Sequence, residues 1–289
     1  MNNIEFISDA YTTDGLKLPM VHFESSEKDI CVICIHGMCG TIIDNYFATV
    51  WGKLLAEKGI GFIYEHNRGH SIENDIVMRD GSFKRCGCMY EIFEDSIYDI
   101  DLAIETAKNK GYKRIILLGH SYGCNKVIYY YYKQHPDILG IILASAPDMI
   151  GSHVSAQSDD YQELLKEAKK NIDDGNASKL LHKMVEDYMY MSSGTYYNWF
   201  HEGSALNNLP IIANPEHFEQ FETIDVPILT FSGSKEADYY LQLDLLREKA
   251  LNCNHFEYKV IENTGHTYKN KEMEIGNLIY DWIKGLEKY

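Results

Sequence analysis

Apolar residues along the chain fall into two alternating patterns. Short runs without polar alternation, CVICIH (31–36), GFIYE (61–65), RIILLG (114–119), ILGIILAS (138–145), PILTFSG (227–233) and FEYKVIE (256–262), predict strands buried on both faces. Between them lie longer stretches with apolar residues at helical spacing. Phe93, Ile97, Ile100, Ile104 and Ala107 follow a 4, 3, 4, 3 spacing that puts them on one stripe of a helix ending near Gly111. Ile275, Ile279, Trp282 and Leu286 give the last helix the same signature, with Glu274, Asp281 and Lys284 around the rest. This alternation predicts an α/β fold, a mostly parallel central sheet of about eight strands flanked by helices. The opening runs IEFIS and LKLPMVHF flank the turn signal Asp14-Gly15 and predict an antiparallel start.

The alternation breaks from about Asp148 to Asp225, where roughly 75 residues separate two strand runs that a βα unit would join with fewer. A helical cap inserted between two late strands is expected there. The core then comprises 1–147 and 226–289, and the cap 148–225. Inside it, YQELLKEAKKNI and SKLLHKMVEDYMYM predict amphipathic helices, and SSGTYYNWF adds an aromatic cluster. Those aromatics either pack the cap onto the body or face a substrate, and the cluster alone does not separate the two.

Composition narrows the function. The 289 residues suffice for one large core, and 27 basic against 43 acidic side chains leave a net charge of −16, which repels a phosphate backbone and argues against nucleic acid. The N-terminal MNNIEFISDAYTTDG has neither a basic n-region nor an apolar h-region, and no apolar stretch approaches the roughly 18 residues of a membrane span. Seven cysteines, odd in number and scattered, point away from a disulfide framework to a reducing compartment, so a cytoplasmic location is expected.

The strongest chemical signal is Gly119-His120-Ser121-Tyr122-Gly123, between a strand run and a helix through Val127 and Tyr131. It is the G-x-S-x-G of a nucleophile held on a sharp turn, where side chains in place of the glycines would block the backbone approach. His36-Gly37-Met38-Cys39-Gly40 closes another strand with a Gly-rich bend, and the backbone N–H groups of Met38 and Tyr122 are the candidate oxyanion donors. His266, in Asn263-Thr264-Gly265-His266 behind the strand FEYKVIE, is the candidate base. A carboxylate between nucleophile and base should orient it, and the segment after PILTFSG offers Glu236 and Asp238.

These motifs resemble the α/β-hydrolase fold serine hydrolases of the capped esterase and lipase-like kind, over nearly the whole of residues 31–289. The resemblance implies Ser121 as nucleophile, His266 as general base and the Met38 and Tyr122 backbone as oxyanion hole. It also implies that Asn67-Arg68-Gly69-His70-Ser71, similar to the Arg-Gly-His turn of capped members, stabilises loops. Such members commonly carry an aspartate three residues after the strand-closing glycine, where this chain has Glu236. The acid is therefore Glu236 first and Asp238 next, with Asp148, which reads better as a helix cap, third.

The cysteines offer a competing chemistry. Cys31 and Cys34 stand three apart on a strand, hence on opposite faces, and cannot share a metal. Cys86 and Cys88 lack a second ligand pair, and Cys39 and Cys124, each beside an oxyanion element, read as packing. The expected protein is a cofactor-independent hydrolase that cleaves a small-molecule carboxylic ester through an acyl-Ser121 intermediate. Thioester, amide, acyl-transfer and carbon–carbon chemistry stay open on the same residues, as does a non-catalytic ligand-binding role.

Overall fold

The computed structural model describes residues 3–156, 160–212 and 214–286. In chain order the elements of the first half are β1 (Ile4–Ile7), β2 (Met20–Phe23), β3 (Ile30–Ile35), α1 (Tyr46–Glu57), β4 (Gly61–Glu65), β5 (Asn74–Val77), β6 (Phe83–Cys86), α2 (Ser96–Asn109), β7 (Arg114–His120) and α3 (Tyr122–Gln134). Then follow β8 (Gly140–Ala144), α4 (Met149–Ala156), α5 (Tyr161–Asp173), α6 (Ser193–Phe200), β9 (Ile228–Gly233), α7 (Leu243–Lys249), β10 (Phe256–Ile261) and α8 (Glu272–Leu286). Eight strands form one sheet in the order β1-β2-β4-β3-β7-β8-β9-β10, parallel from β4 to β10, with β1 and β2 antiparallel at the edge. This is the mostly parallel sheet that the apolar runs predict.

Alternation of side chains through the sheet builds two separate cores. On β3, Ile33 and Ile35 join Ile100 and Ala107 of α2 and Val127 of α3 on one face. Val32 joins Trp51 and Leu55 of α1 and Ile275 and Ile279 of α8 on the other. Cys31 falls in the first core and Cys34 in the second, so the two thiols lie on opposite faces as their spacing requires. The helix predicted from Phe93 begins at Ser96, because Phe93 sits in a single 3₁₀ turn ahead of it, and Gly111 follows the helix with φ of 92°.

Two local expectations change, and one further hairpin forms. β1 and β2 do pair antiparallel, but Asp14-Gly15 does not join them directly. It closes a smaller loop in which Gly15 N–H donates to the Thr12 carbonyl at 3.0 Å and Tyr11 bridges Lys17. A second hairpin, β5 with β6, lacks a buried alternation because half its residues are exposed, and only Asp80-Gly81 at its turn, with Gly81 at φ 85°, marks it in the sequence. Finally, α5 forms as predicted, whereas SKLLHKMVEDYMYM (178–191) is not a helix. Bridges Leu180–Ser192 and Val185–Met189 fold it into a tight hairpin, with Glu186 (φ 53°) and Asp187 (φ 52°) at its tip. That turn sends Leu181, Val185, Met189 and Met191 together into an apolar cluster with Leu164 of α5 and Trp199 of α6, and this burial outweighs helical propensity.

Candidate active site

β7 ends at His120 and α3 begins at Tyr122, and Ser121 between them has φ 55° and ψ −132°, a conformation L-residues rarely adopt. The two neighbouring glycines explain how the turn is tolerated. A Cβ on Gly123 would lie 2.2 Å from the Ile35 carbonyl oxygen, and one on Gly119 would lie 2.5 Å from Cys124 N. Tyr122 is the first residue of α3, so its N–H has no intrahelical acceptor. The turn after β3 packs onto the same spot, since a Cβ on Gly37 would come within 2.8 Å of Ser121 Cβ and 3.2 Å of its Oγ. Met38 follows directly and lines the same cavity.

His36 fixes that turn. Its Nδ1–H donates to the Gly37 carbonyl at 2.6 Å while Nε2 accepts the Asn67 N–H at 3.2 Å. Complete burial holds its pKa well below the ordinary range, so the ring keeps the neutral form those two contacts need. Asn67 in turn belongs to the Arg68 turn, and Arg68 is buried in ion pairs with Asp99 (2.8 Å), Asp95 (2.9 Å) and Asp14 (3.1 Å). Beside it Lys126 and Glu91 form a buried ion pair, with Lys126 Nζ also donating to Asn67 Oδ1 at 3.1 Å. These groups brace the loops and do not face the cavity.

His266 lies in the loop after β10 and lines the cavity with Ser121. Its Nδ1 is 3.4 Å from Oε1 of Glu236, whose side chain is only 2% exposed. The same oxygen accepts a hydrogen bond from Ser145 Oγ at 2.7 Å, and Ser145 Oγ is 2.5 Å from the hydroxyl of Tyr268. Tyr268 is fully buried against Phe47, Trp51 and Phe231, and burial drives its hydroxyl well above the usual phenol range. That proton is therefore kept and directed at Ser145, and the Ser145 proton at the carboxylate. From the opposite side His120 Nε2–H donates to the His266 carbonyl at 2.9 Å. Burial and the neighbouring His266 push the His120 pKa down to about 3, so it acts as a neutral clamp.

The structure thus separates the three carboxylates. Asp238 is exposed at the start of a 3₁₀ turn and makes no contact with His266 among the described residues. Asp148 is buried, with Oδ1 accepting Gly151 N–H and Oδ2 accepting Ile212 N–H, each at 2.7 Å, the capping role its sequence position suggests. Only Glu236 meets the histidine. Sequence reasoning missed His120, Ser145 and Tyr268. His120 stands inside the G-x-S-x-G segment and Tyr268 two residues past His266, but nothing in the chain links Ser145 to either.

The cavity measures about 370 Å³ and is walled by Met149, Val185, Met189, Trp199 and Phe200 from the 148–225 segment and by Tyr239 and Tyr240 from beyond β9. Cys124 is buried with its thiol pushed well up, and its Sγ–H donates to the Gly119 carbonyl at 3.1 Å. Cys39 donates to Met189 Sδ at 3.8 Å, a packing contact. Among the described residues no group of three or more His, Cys, Asp or Glu is placed to hold a metal ion, and no helix is long and apolar enough to cross a membrane.

A family model described as a protein of unknown function (DUF1749) matches residues 94–202, which span α2, the elbow and most of the 148–225 segment. No curated protein matches by sequence. Solved structures match over almost the full length. Est1E from Butyrivibrio proteoclasticus with ferulic acid bound is 15% identical with a TM-score of 0.63, covering 97% of this chain and 99% of its own. A thermostable carboxyl esterase from Bacillus coagulans in complex with glycerol is 12% identical at 0.67, covering 99% of each. A soluble variant of monoglyceride lipase from Saccharomyces cerevisiae with a substrate analogue is 13% identical at 0.63, covering 99% of this chain and 96% of its own. The fold they share with this chain is that of the α/β-hydrolases.

Proposed function

We propose that this chain, an α/β-hydrolase by fold, is a serine hydrolase that cleaves a carboxylic ester of a small molecule, with residues 148–225 as its cap. One observation carries the reading: the strained Ser121, the Gly37 turn and the Glu236-backed His266 come from separate loops and converge on one cavity. Ser121 Oγ attacks the ester carbonyl as His266 takes its proton, and the carbonyl oxygen becomes an oxyanion facing the N–H groups of Met38 and Tyr122. Collapse breaks the bond to the alcohol, which leaves with the proton from His266, and Ser121 is acylated. Water then attacks the acyl group with His266 again as base, and the second collapse returns the proton to Ser121 Oγ and frees the acid. Glu236 Oε1, facing Nδ1 of His266, stabilises the imidazolium in both steps. No step calls for a cofactor. All seven cysteines are unpaired, which supports a reducing compartment and hence the cytoplasm.

Ser121→Ala tests the assignment. It should abolish labelling by a fluorophosphonate probe and lower the hydrolysis of p-nitrophenyl esters by about 10⁴-fold or more. Retention of full activity by that variant would refute the reading.

A further inference from the structure

Glu186 is the only carboxylate among the described residues lining the cavity, and neither lysine nor arginine lines it. The group is held in place. Its Oε1 accepts a hydrogen bond from Nδ1–H of His153 at 2.8 Å, and His153 Nε2 accepts the Tyr196 hydroxyl at 2.9 Å. His153 is 1% exposed and its ring stacks on Phe200 with centroids 3.8 Å apart. Both ring nitrogens of His153 are thus engaged, Nδ1 on Glu186 and Nε2 on Tyr196, which fixes the carboxylate's position in the cavity wall. Only Oε1 is engaged by hydrogen bonds among the described residues, and 42% of the Glu186 side chain remains open.

The surroundings favour one sign of partner. Tyr239 and Tyr240 pack with ring centroids 4.3 Å apart on the cavity wall, and Tyr188, two residues from Glu186, also lines it and is 54% exposed. Burial holds the Tyr239 hydroxyl above the usual phenol range against hydrogen bonds to Tyr240 and Ser152 that lower it, with the charges of Glu186 and Glu236 adding to the rise. Aromatic faces attract cations, and a cleft with one negative group in a molecule of net charge −16 concentrates them. A neutral hydroxyl would gain a single hydrogen bond to Glu186. A cation gains the pairing, the ring faces and the long-range field together.

We propose that the cavity selects esters carrying a protonated or quaternary amine, with Glu186 pairing the cation and the tyrosine faces covering its carbon atoms. This rests on the Ser121 reading and adds to it a substrate class. The test compares a choline ester with the 3,3-dimethylbutyl ester of the same short acid, which has the same shape without the charge. Wild type should favour the choline ester in kcat/KM by about tenfold, and the preference should shrink as salt screens the pair. Glu186→Gln should bring the ratio close to one, while Glu186→Asp, which keeps the charge, should retain most of it.

A second arm measures binding of the intact choline ester to Ser121→Ala by calorimetry, with and without Glu186→Gln. Binding lost with Glu186→Gln supports the proposal even where no ester is turned over, an outcome that would sink the hydrolase reading alone. Equal kcat/KM for the two esters in wild type, or choline-ester binding that Glu186→Gln leaves unchanged, overturns the cation site and leaves Ser121 chemistry standing.

Discussion

At the scale of single residues, the proposed site turns on its acid. Glu236 is longer than the expected aspartate by one methylene, and the structure shows what absorbs the difference. Its buried carboxylate is anchored by Ser145, itself at φ 53° at the end of β8, and Ser145 is anchored by Tyr268. Removing the charge by Glu236→Gln should lower kcat by about 10²- to 10⁴-fold, since the imidazolium then loses its counter-charge. Ser145→Ala takes away one hydrogen bond to a charged group, for which about tenfold is expected. The exposed Asp238→Asn should change kcat by less than about twofold, within the range of ordinary surface substitutions. Steady-state kinetics on one p-nitrophenyl ester ranks the three, and a larger loss in Asp238→Asn than in Glu236→Gln would reverse the assignment.

At the scale of elements, the elbow is a close approach of backbones rather than a flexible turn. α3 reaches β3 so nearly that Gly123 has no room for a side chain, because the opposing Ile35 carbonyl belongs to a central strand that cannot move away. Gly123→Ala should therefore cost about 3 kcal/mol in urea-unfolding experiments, the upper end for overpacking. Gly285 in α8 makes the contrasting case, since a Cβ there meets nothing within 4 Å. Gly285→Ala should stabilise by about 0.5–1 kcal/mol through helix propensity. The two substitutions are identical in sequence terms and opposite in sign, which only the packing distinguishes. The stretch 178–191 makes the same point for a whole element. Its apolar spacing suits a helix, yet the hairpin buries Leu181, Val185, Met189 and Met191 in one cluster.

For the whole molecule, buried titratable groups set how stability responds to acid. His36, His66 and His120 are pushed down by burial, His66 to about 4 and His120 to about 3. Each stays neutral in the fold but takes a proton near 6.5 once unfolded, so its contribution is complete above that pH and is lost as pH falls toward the folded value. Glu65 and Glu91, pushed up by burial, act in the opposite direction, because the unfolded chain ionises them more readily. With His22 and His70, which burial also lowers, the histidines outnumber them. Unfolding free energy should therefore fall from about pH 7 to about pH 5, each histidine adding up to about 1.4 kcal/mol per pH unit. His120→Gln should flatten that slope by up to one proton's share. A slope of the opposite sign in urea titrations would refute the account.

The order of apolar runs along the chain determined the sheet and the helices on its two faces, because strand and helix periods are local properties of the sequence. Local motifs marked the candidates Ser121, whose two flanking glycines advertise a backbone approach, and His266, which stands behind a strand and a glycine. Which carboxylate meets His266 was not local. Glu236 and Asp238 are two residues apart, and burial beneath Ser145 and Tyr268 decides between them. The clamp from His120, the fate of the 178–191 stretch and the isolation of Glu186 in the cavity wall are likewise decisions of tertiary structure. Each depends on residues far apart in the chain, and in a packed interior it is the volume and charge of those distant neighbours that select among conformations the local sequence allows.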